Sequence, residues 1–154
     1  MRPMEAREIV NKSAAQVWEG LAQPGALREL CETFAGWGAR FRVVADRGMI
    51  VGAPVEVTTP GGDPVMSWRV TSSAPPTTLE LSSTEEERKL SPFHMVLSFR
   101  IEALDDDKSQ VSAELTLMFL DRMLELATLI LPFGFFYGQR LKRSLKRLRR
   151  LIEA

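Results

Sequence analysis

Cysteine, histidine and tyrosine are almost absent from this sequence of 154 residues, which contains one of each. The single cysteine, Cys31, cannot form an internal disulfide, and one thiol is too few for a structural zinc site. His94 is the only histidine, and no group of His, Cys, Asp and Glu residues has the spacing of metal ligands. We therefore expect neither a disulfide framework nor a metal site.

Sequence motifs for nucleotide and hydrolase chemistry are also absent. The chain has no G-x-G-x-x-G, P-loop or G-x-S-x-G pattern, so dehydrogenase, kinase and hydrolase functions lack their signatures. His94 lies on a strand whose alternate residues are apolar, and this alternation directs its ring to the opposite face, towards solvent. Because a general base has to reach the proton that it removes, the sequence identifies no catalytic residue, and we expect no cofactor.

Long apolar segments and net charge are missing as well. The apolar run 129–137 is too short to cross a bilayer, which takes about 20 residues, and the first ten residues lack the apolar core of a secretory signal. Twenty basic residues balance twenty acidic residues, so nothing steers the whole molecule towards nucleic acid. These absences predict a cytoplasmic protein that does not bind nucleic acid.

The composition that remains is that of an ordinary globular protein. Hydrophobic residues make up 45% of the chain and charged residues 26%, which argues against disorder. We find no internal repeat and no linker-like stretch. The sequence therefore predicts a single domain that spans residues 1–154.

Alternation of apolar and polar residues predicts most of this domain to be strand. A first strand is expected at about 5–11, and Ser13 with Gln16 forms a capping-box pattern that begins a short helix, followed by a second one at 26–32. Six further strands follow, and short turns between them predict an antiparallel sheet with one dry face. The two clearest strands present apolar faces made of Phe93, Met95, Leu97, Phe99 and Ile101, and of Val111, Ala113, Leu115, Leu117 and Phe119.

The last third of the chain changes to a helical period. Apolar residues recur every three or four positions, which predicts one long amphipathic helix over 121–151 with a bend near Pro132 and Gly134. The predicted fold is thus α+β, with a curved antiparallel sheet wrapped around a long C-terminal helix. The stripe consists of Met123, Leu126, Ile130, Phe133, Tyr137, Leu141, Leu145, Leu148 and Ile152.

Several stretches resemble the START-like, or helix-grip, superfamily, in particular its polyketide cyclase/dehydrase and lipid-transport branch. They are IVNKSAAQVWEGL at 9–21, Val51-Gly52 before the third strand, SSAPPTTLEL at 72–81, and the terminal helix that ends in LKRSLKRLRRLIEA. The resemblance covers essentially the whole chain. It implies a cavity between sheet and helix that holds an apolar small molecule, but it implies no particular reaction.

The resemblance also gives a role to side chains that would otherwise count as ordinary core. We expect Trp68 to face Leu97 or Phe99 and the helix above, in a cavity where one edge of the indole meets ligand or water. Tyr137 carries the one hydroxyl on the central stripe and is a candidate to orient a ligand's polar end. The predicted cavity residues are Met66, Trp68, Leu97, Phe99, Leu117, Phe119, Met123, Leu126, Ile130, Phe133 and Tyr137.

The C-terminal segment is strongly basic, with seven Lys and Arg residues after position 139 against one acid, Glu153. Nucleic-acid binding is disfavoured because this basic region contains no aromatic residue for stacking. A membrane surface would suit an amphipathic cationic helix, whereas a helix docked on the sheet would bury the apolar stripe and leave the charges in water. We favour docking, and the acidic body could complement the basic segment in a homodimer.

Three hypotheses for function follow. The first is a binding or carrier protein for a hydrophobic small molecule, such as a lipid or a polyketide-like compound. The second is a cyclase or aromatase that uses the same cavity, in which orientation and exclusion of water do most of the catalysis. The third is a lipid-transfer protein that reaches membranes through its basic helix. Glu56, Arg69, His94 and Arg100 are predicted to face outward, which favours the binding protein.

Overall fold

The computed structural model describes residues 3–22, 42–44, 50–58, 61, 64–83, 93–119 and 133–154. Within these residues the chain forms seven strands and two helices. In chain order they are β1 (Met4–Val10), α1 (Ala14–Leu21), β2 (Arg42–Val44), β3 (Pro54–Thr58), β4 (Pro64–Ala74), β5 (Thr78–Ser83), β6 (Phe93–Ala103), β7 (Ser109–Phe119) and α2 (Phe133–Glu153).

The strands form a single antiparallel sheet in the order β1-β7-β6-β5-β4-β3-β2. Sequential strands from β2 to β7 are neighbours, as short hairpin connections require, and β1 closes the order by pairing with β7. A tight turn leads into β3, where Gly52 has a φ of 87°, a left-handed conformation that suits glycine. The predicted α+β architecture is confirmed, and so is the first strand to within one residue.

One face of the sheet, which we call the inner face, is dry. The register aligns Leu97 with Leu81 on one side and with Leu115 on the other, so that apolar residues form continuous rows across the strands. The opposite, outer face carries Glu56, Arg69 and Arg100, all exposed as predicted. The described buried residues of the inner-face strands are Met4, Ala6, Val10, Val55, Trp68, Val70, Leu79, Leu81, Ser83, Met95, Leu97, Phe99, Ile101, Ser109, Val111, Ala113, Leu115 and Leu117.

Helix α1 begins at the predicted capping box. The Gln16 backbone N–H donates to Ser13 Oγ at 3.3 Å, and the Ser13 backbone N–H donates to Gln16 Oε1 at 3.1 Å. Val17 and Leu21, spaced one helical turn apart, are the buried residues of this helix and join the hydrophobic core. The second short helix that we expected at 26–32 lies outside the described residues, as does Cys31.

Helix α2 lies on the sheet chiefly over β1, with smaller contacts to α1 and β7. Leu141, Leu145 and Leu148 of the predicted stripe are buried in the same hydrophobic core as the inner face. The basic residues between them, among them Arg143 and Lys146, are exposed. Docking on the sheet is therefore the arrangement of these three leucines.

The proposed bend and the first part of the long helix cannot be compared with the structure, because 121–132 lie outside the described residues. The described helix begins at Phe133, directly after Pro132, and continues to Glu153. Among the described residues, no helix is long and apolar enough to cross a membrane.

The end of α2 is fastened to the start of the chain by a small polar network. Glu153 accepts a hydrogen bond from the Asn11 backbone N–H at 2.8 Å, and Arg149 contacts the carboxylates of Glu153 and Glu8 at 3.3 Å each. The Asn11 hydrogen bond, aided by Arg149, lowers the pKa of Glu153. The hydrogen bond to Glu153 is the main reason that the pKa of Arg149 is raised. These contacts join the end of α2 to Glu8 of β1 and to Asn11, which follows that strand.

Gly20 of α1 lies against Ile152 of α2 so closely that a methyl group would not fit. A Cβ added at Gly20 would lie 2.7 Å from Ile152 Cγ1. Alanine normally stabilises a helix relative to glycine by about 1 kcal/mol. We predict that Gly20→Ala instead lowers the free energy of unfolding by about 1 kcal/mol or more, and that the same change becomes stabilising in an Ile152→Ala background. Urea denaturation of the four variants measures both effects, and a stabilising Gly20→Ala in the wild type would contradict the contact.

Leu145 tests whether the stripe of α2 is docked. Leu145→Asp places an unpaired charge in the core, and we expect it to lower the free energy of unfolding by at least about 3 kcal/mol. Lys146→Asp introduces the same side chain at the neighbouring exposed position and should cost under about 1 kcal/mol. Thermal melts of both variants give the comparison, and equal melting temperatures would show that α2 does not pack on the sheet.

Candidate functional site

The candidate site is the part of the inner face around Trp68, where one polar group lies in an apolar wall. Trp68 is in the middle of β4, paired with Val55 on β3 and with Ser83 on β5. Val70, two residues further on, points to the same face and is buried as well. The strand period thus explains why an indole faces inward here while its neighbour Arg69 is exposed.

The indole N–H of Trp68 is buried but not satisfied. Only 4% of the residue is exposed, and Nε1 has no hydrogen-bond partner among the described residues. Buried polar groups are nearly always hydrogen-bonded, and an indole N–H can only donate. The site therefore presents a hydrogen-bond donor on an otherwise apolar surface.

Ser83, the cross-strand neighbour of Trp68, is already committed to other partners. Its Oγ accepts a hydrogen bond from the Met95 backbone N–H at 3.0 Å and lies 2.8 Å from His94 Nδ1. His94 Nε2 lies 3.1 Å from Ser82 Oγ. The imidazole is half-buried between two hydroxyls, whereas we expected it to point simply to solvent. Sequence alternation could not reveal this pairing, because it depends on where β5 ends beside β6.

Four of the predicted cavity residues have described side chains, and all four are buried on the inner face. They are Trp68, Leu97, Phe99 and Leu117. The register differs from our expectation by a row, because Leu97 aligns through Leu81 with Val70, while Trp68 pairs with Ser83. Their role in ligand binding stays a prediction.

The other predicted residues are described only in part or not at all. Met66 lies in β4 and Phe119 in β7, and Phe133 and Tyr137 lie in the first turns of α2. The structure does not describe the side chains of these four residues. Met123, Leu126 and Ile130 lie outside the described residues. The structure thus places the four described residues on one face of the sheet, and the positions of the other predicted cavity residues stay predictions.

On the helix side, Ser144 is a polar residue that the sequence analysis did not single out. It is fully buried among Leu141, Leu145 and Leu148, and its Oγ has no hydrogen-bond partner within the described part of the chain. Its place on the helical period, three residues after Leu141, was the signal that could have identified it. Sheet and helix therefore each contribute one unsatisfied polar atom to the core.

A separate groove of about 470 Å³ lies on the outer face of the sheet. Most of its lining residues are of polar type, and they include two exposed ion pairs, Arg7 with Glu5 and Arg100 with Glu102. Glu80 also lines it and accepts hydrogen bonds from Thr71 and Ser98. These charged side chains distinguish the groove from the inner face. No three acidic, His or Cys side chains among the described residues form a group that could hold a metal ion.

No protein-family model matches this sequence, and no curated protein sequence matches it. Solved structures do match. The chain is similar to protein CV1439 from Chromobacterium violaceum, with 15% identity, a TM-score of 0.68, and coverage of 99% of this chain and 97% of that chain. It is also similar to norcoclaurine synthase from Thalictrum flavum, a point mutant in complex with a transition-state analogue, with 13% identity, a TM-score of 0.63, and coverage of 98% and 93%.

A third similar structure is the Aha1 dimer from Colwellia psychrerythraea, with 15% identity, a TM-score of 0.63, and coverage of 99% and 97%. These similarities extend over nearly the full length of each chain, and they show that this protein has the START-like, helix-grip fold. The resemblance found in the sequence is thereby confirmed at the level of the fold. Identities this low carry no residue roles, and a homodimer and a cytoplasmic location remain predictions.

Proposed function

We propose that this protein binds a hydrophobic small molecule between the inner face of its sheet and its C-terminal helix. The observation that carries the proposal is the unsatisfied indole N–H of Trp68 in a buried apolar wall. Ligand sites combine an apolar lining with a small number of polar groups that orient the ligand. The described part of the inner face has this character, because its buried residues are apolar apart from Ser83 and Ser109.

Lack of ionisable groups favours a carrier or sensor over an enzyme. Among the described residues, those buried on the inner face include no acid, base or histidine. Norcoclaurine synthase shares the fold and is an enzyme by name, so a cyclase that uses the same cavity is the alternative. The observation in its favour is the 2.8 Å contact of Ser83 with His94, which holds an imidazole one hydrogen bond away from the inner face. Turnover that is lost in His94→Gln while binding persists would establish the enzyme.

Trp68 fluorescence tests the binding proposal. With Trp18 and Trp37 replaced by Phe, the emission has one source, and we predict that a long-chain fatty acid or the neutral dye 1-aminoanthracene changes it. Trp68→Ala should weaken dye binding at least about tenfold, since a buried aromatic residue contributes more than about 1.4 kcal/mol of contact. Arg69→Ala, at the outward-facing neighbour, is the matched control and should bind as the wild type does.

Each failure of this experiment has a distinct meaning. Dye binding that leaves Trp68 emission unchanged and survives Trp68→Ala would locate the site elsewhere, for instance in the outer groove. If a panel of lipids and aromatic polyketides gives no change, and organic extraction of the purified protein followed by mass spectrometry finds no bound compound, the interface is a plain packed core. The binding proposal and the enzyme alternative would then both be wrong.

A further inference from the structure

The chemistry of the inner face narrows the class of ligand. A buried indole N–H that meets no acceptor loses the hydrogen bonds that it makes with water in the unfolded chain, so an acceptor is missing from its surroundings. Nε1 of Trp68 has no hydrogen-bond partner among the described residues, and only 4% of the residue is exposed. The missing partner has to be an oxygen or nitrogen acceptor, because the indole nitrogen offers no lone pair.

The neighbouring strands do not supply this acceptor. On one side Trp68 is paired with Val55, whose side chain has no polar atom. On the other side it is paired with Ser83, whose hydroxyl already accepts from the Met95 backbone N–H and lies at hydrogen-bond distance from His94. The backbone N–H and C=O groups of this part of β4 belong to the ladders with β3 and β5. The strand neighbours of Trp68 thus leave the acceptor to be supplied by a bound molecule.

The same surface argues for an uncharged acceptor. A carboxylate that leaves water needs a cation or several donors to offset its desolvation. The described buried residues of the inner face include no Lys, Arg or His. The basic residues of α2 at 142, 143, 146, 147 and 150 are exposed; Arg140 and Arg149 are half-buried, and Arg149 is paired with Glu8 and Glu153. The indole N–H is a single neutral donor, which is enough to pair with an uncharged carbonyl oxygen but not to offset the desolvation of a carboxylate.

We propose that the ligand of the inner face is an apolar molecule with a neutral carbonyl group, whose oxygen accepts the hydrogen bond of Trp68 Nε1–H. This inference rests on the proposed function, because it specifies the chemistry of a ligand in the same site. Ketones, aldehydes, esters and quinones belong to this class. Free fatty acids, which are charged at neutral pH, and plain hydrocarbons, which offer no acceptor, lie outside this class and should bind less tightly.

Three probes of nearly the same shape test the proposal on the full chain. They are 2-acetylnaphthalene, which carries the carbonyl, 2-isopropenylnaphthalene, which replaces its oxygen by CH₂, and 2-naphthoate, which replaces the acetyl group by a carboxylate. Dissociation constants are measured for the wild type and for Trp68→Phe, which keeps an aromatic ring without the N–H. Trp18→Phe, the same substitution in α1, is the control for the change of residue type.

The preference for the ketone over the hydrocarbon should be about fivefold greater in the wild type than in Trp68→Phe, as a net hydrogen bond of ordinary strength predicts. This ratio of ratios cancels the different water solubilities of the two probes. Trp18→Phe should keep the wild-type preference, and 2-naphthoate should bind least well at neutral pH. In ¹⁵N-labelled protein, the indole resonance that disappears in Trp68→Phe should move further downfield with the ketone than with the hydrocarbon, which exerts a similar ring current but accepts no hydrogen bond.

The possible results separate this inference from the proposed function. If the two neutral probes bind and Trp68→Phe leaves the preference unchanged, the carbonyl inference is wrong while the binding function stands. Tighter binding of 2-naphthoate than of the ketone would also overturn it. If no probe binds and the indole resonance never moves, the binding function itself fails.

Discussion

The fold depends on the burial of one apolar stripe of the C-terminal helix against the inner face of the sheet. Leu141, Leu145 and Leu148 enter the same core as the strand residues, and burying side chains of this size is worth about 1.5–3 kcal/mol each. The sheet alone would expose an apolar face, and the helix alone would be a basic amphipathic segment. Packing of the helix on the sheet explains why the C-terminal segment exposes its basic side chains to solvent and buries its leucines.

This packing also defines where a ligand could bind. The described helix lies chiefly over β1, at one edge of the sheet, whereas Trp68 lies on β4, four strands away in the sheet order. The buried core therefore extends well beyond the strands that the described helix contacts. The unsatisfied Nε1 of Trp68 lies on that part of the inner face, and it is the polar feature from which we infer the ligand's chemistry.

Features that depend on the spacing of residues close in sequence were predictable, and features that depend on contacts between distant parts of the chain were not. The capping box at Ser13, the alternation of β6 and β7, and the stripe through Leu145 depend on neighbours within a few residues. The approach of Gly20 to Ile152 and the pairing of Ser83 with His94 bring together residues from different elements, at distances that the fold decides. For the same reason the sequence singled out Trp68 for its size but not its strand partners, which leave its N–H without an acceptor.

The most direct test of this account is a crystal structure of the protein grown with 2-acetylnaphthalene. We expect the ligand on the inner face, with its ketone oxygen about 2.7–3.2 Å from Trp68 Nε1. A structure in which protein side chains fill that space, with the indole N–H donating to a protein oxygen and no ligand beside it, would contradict the account.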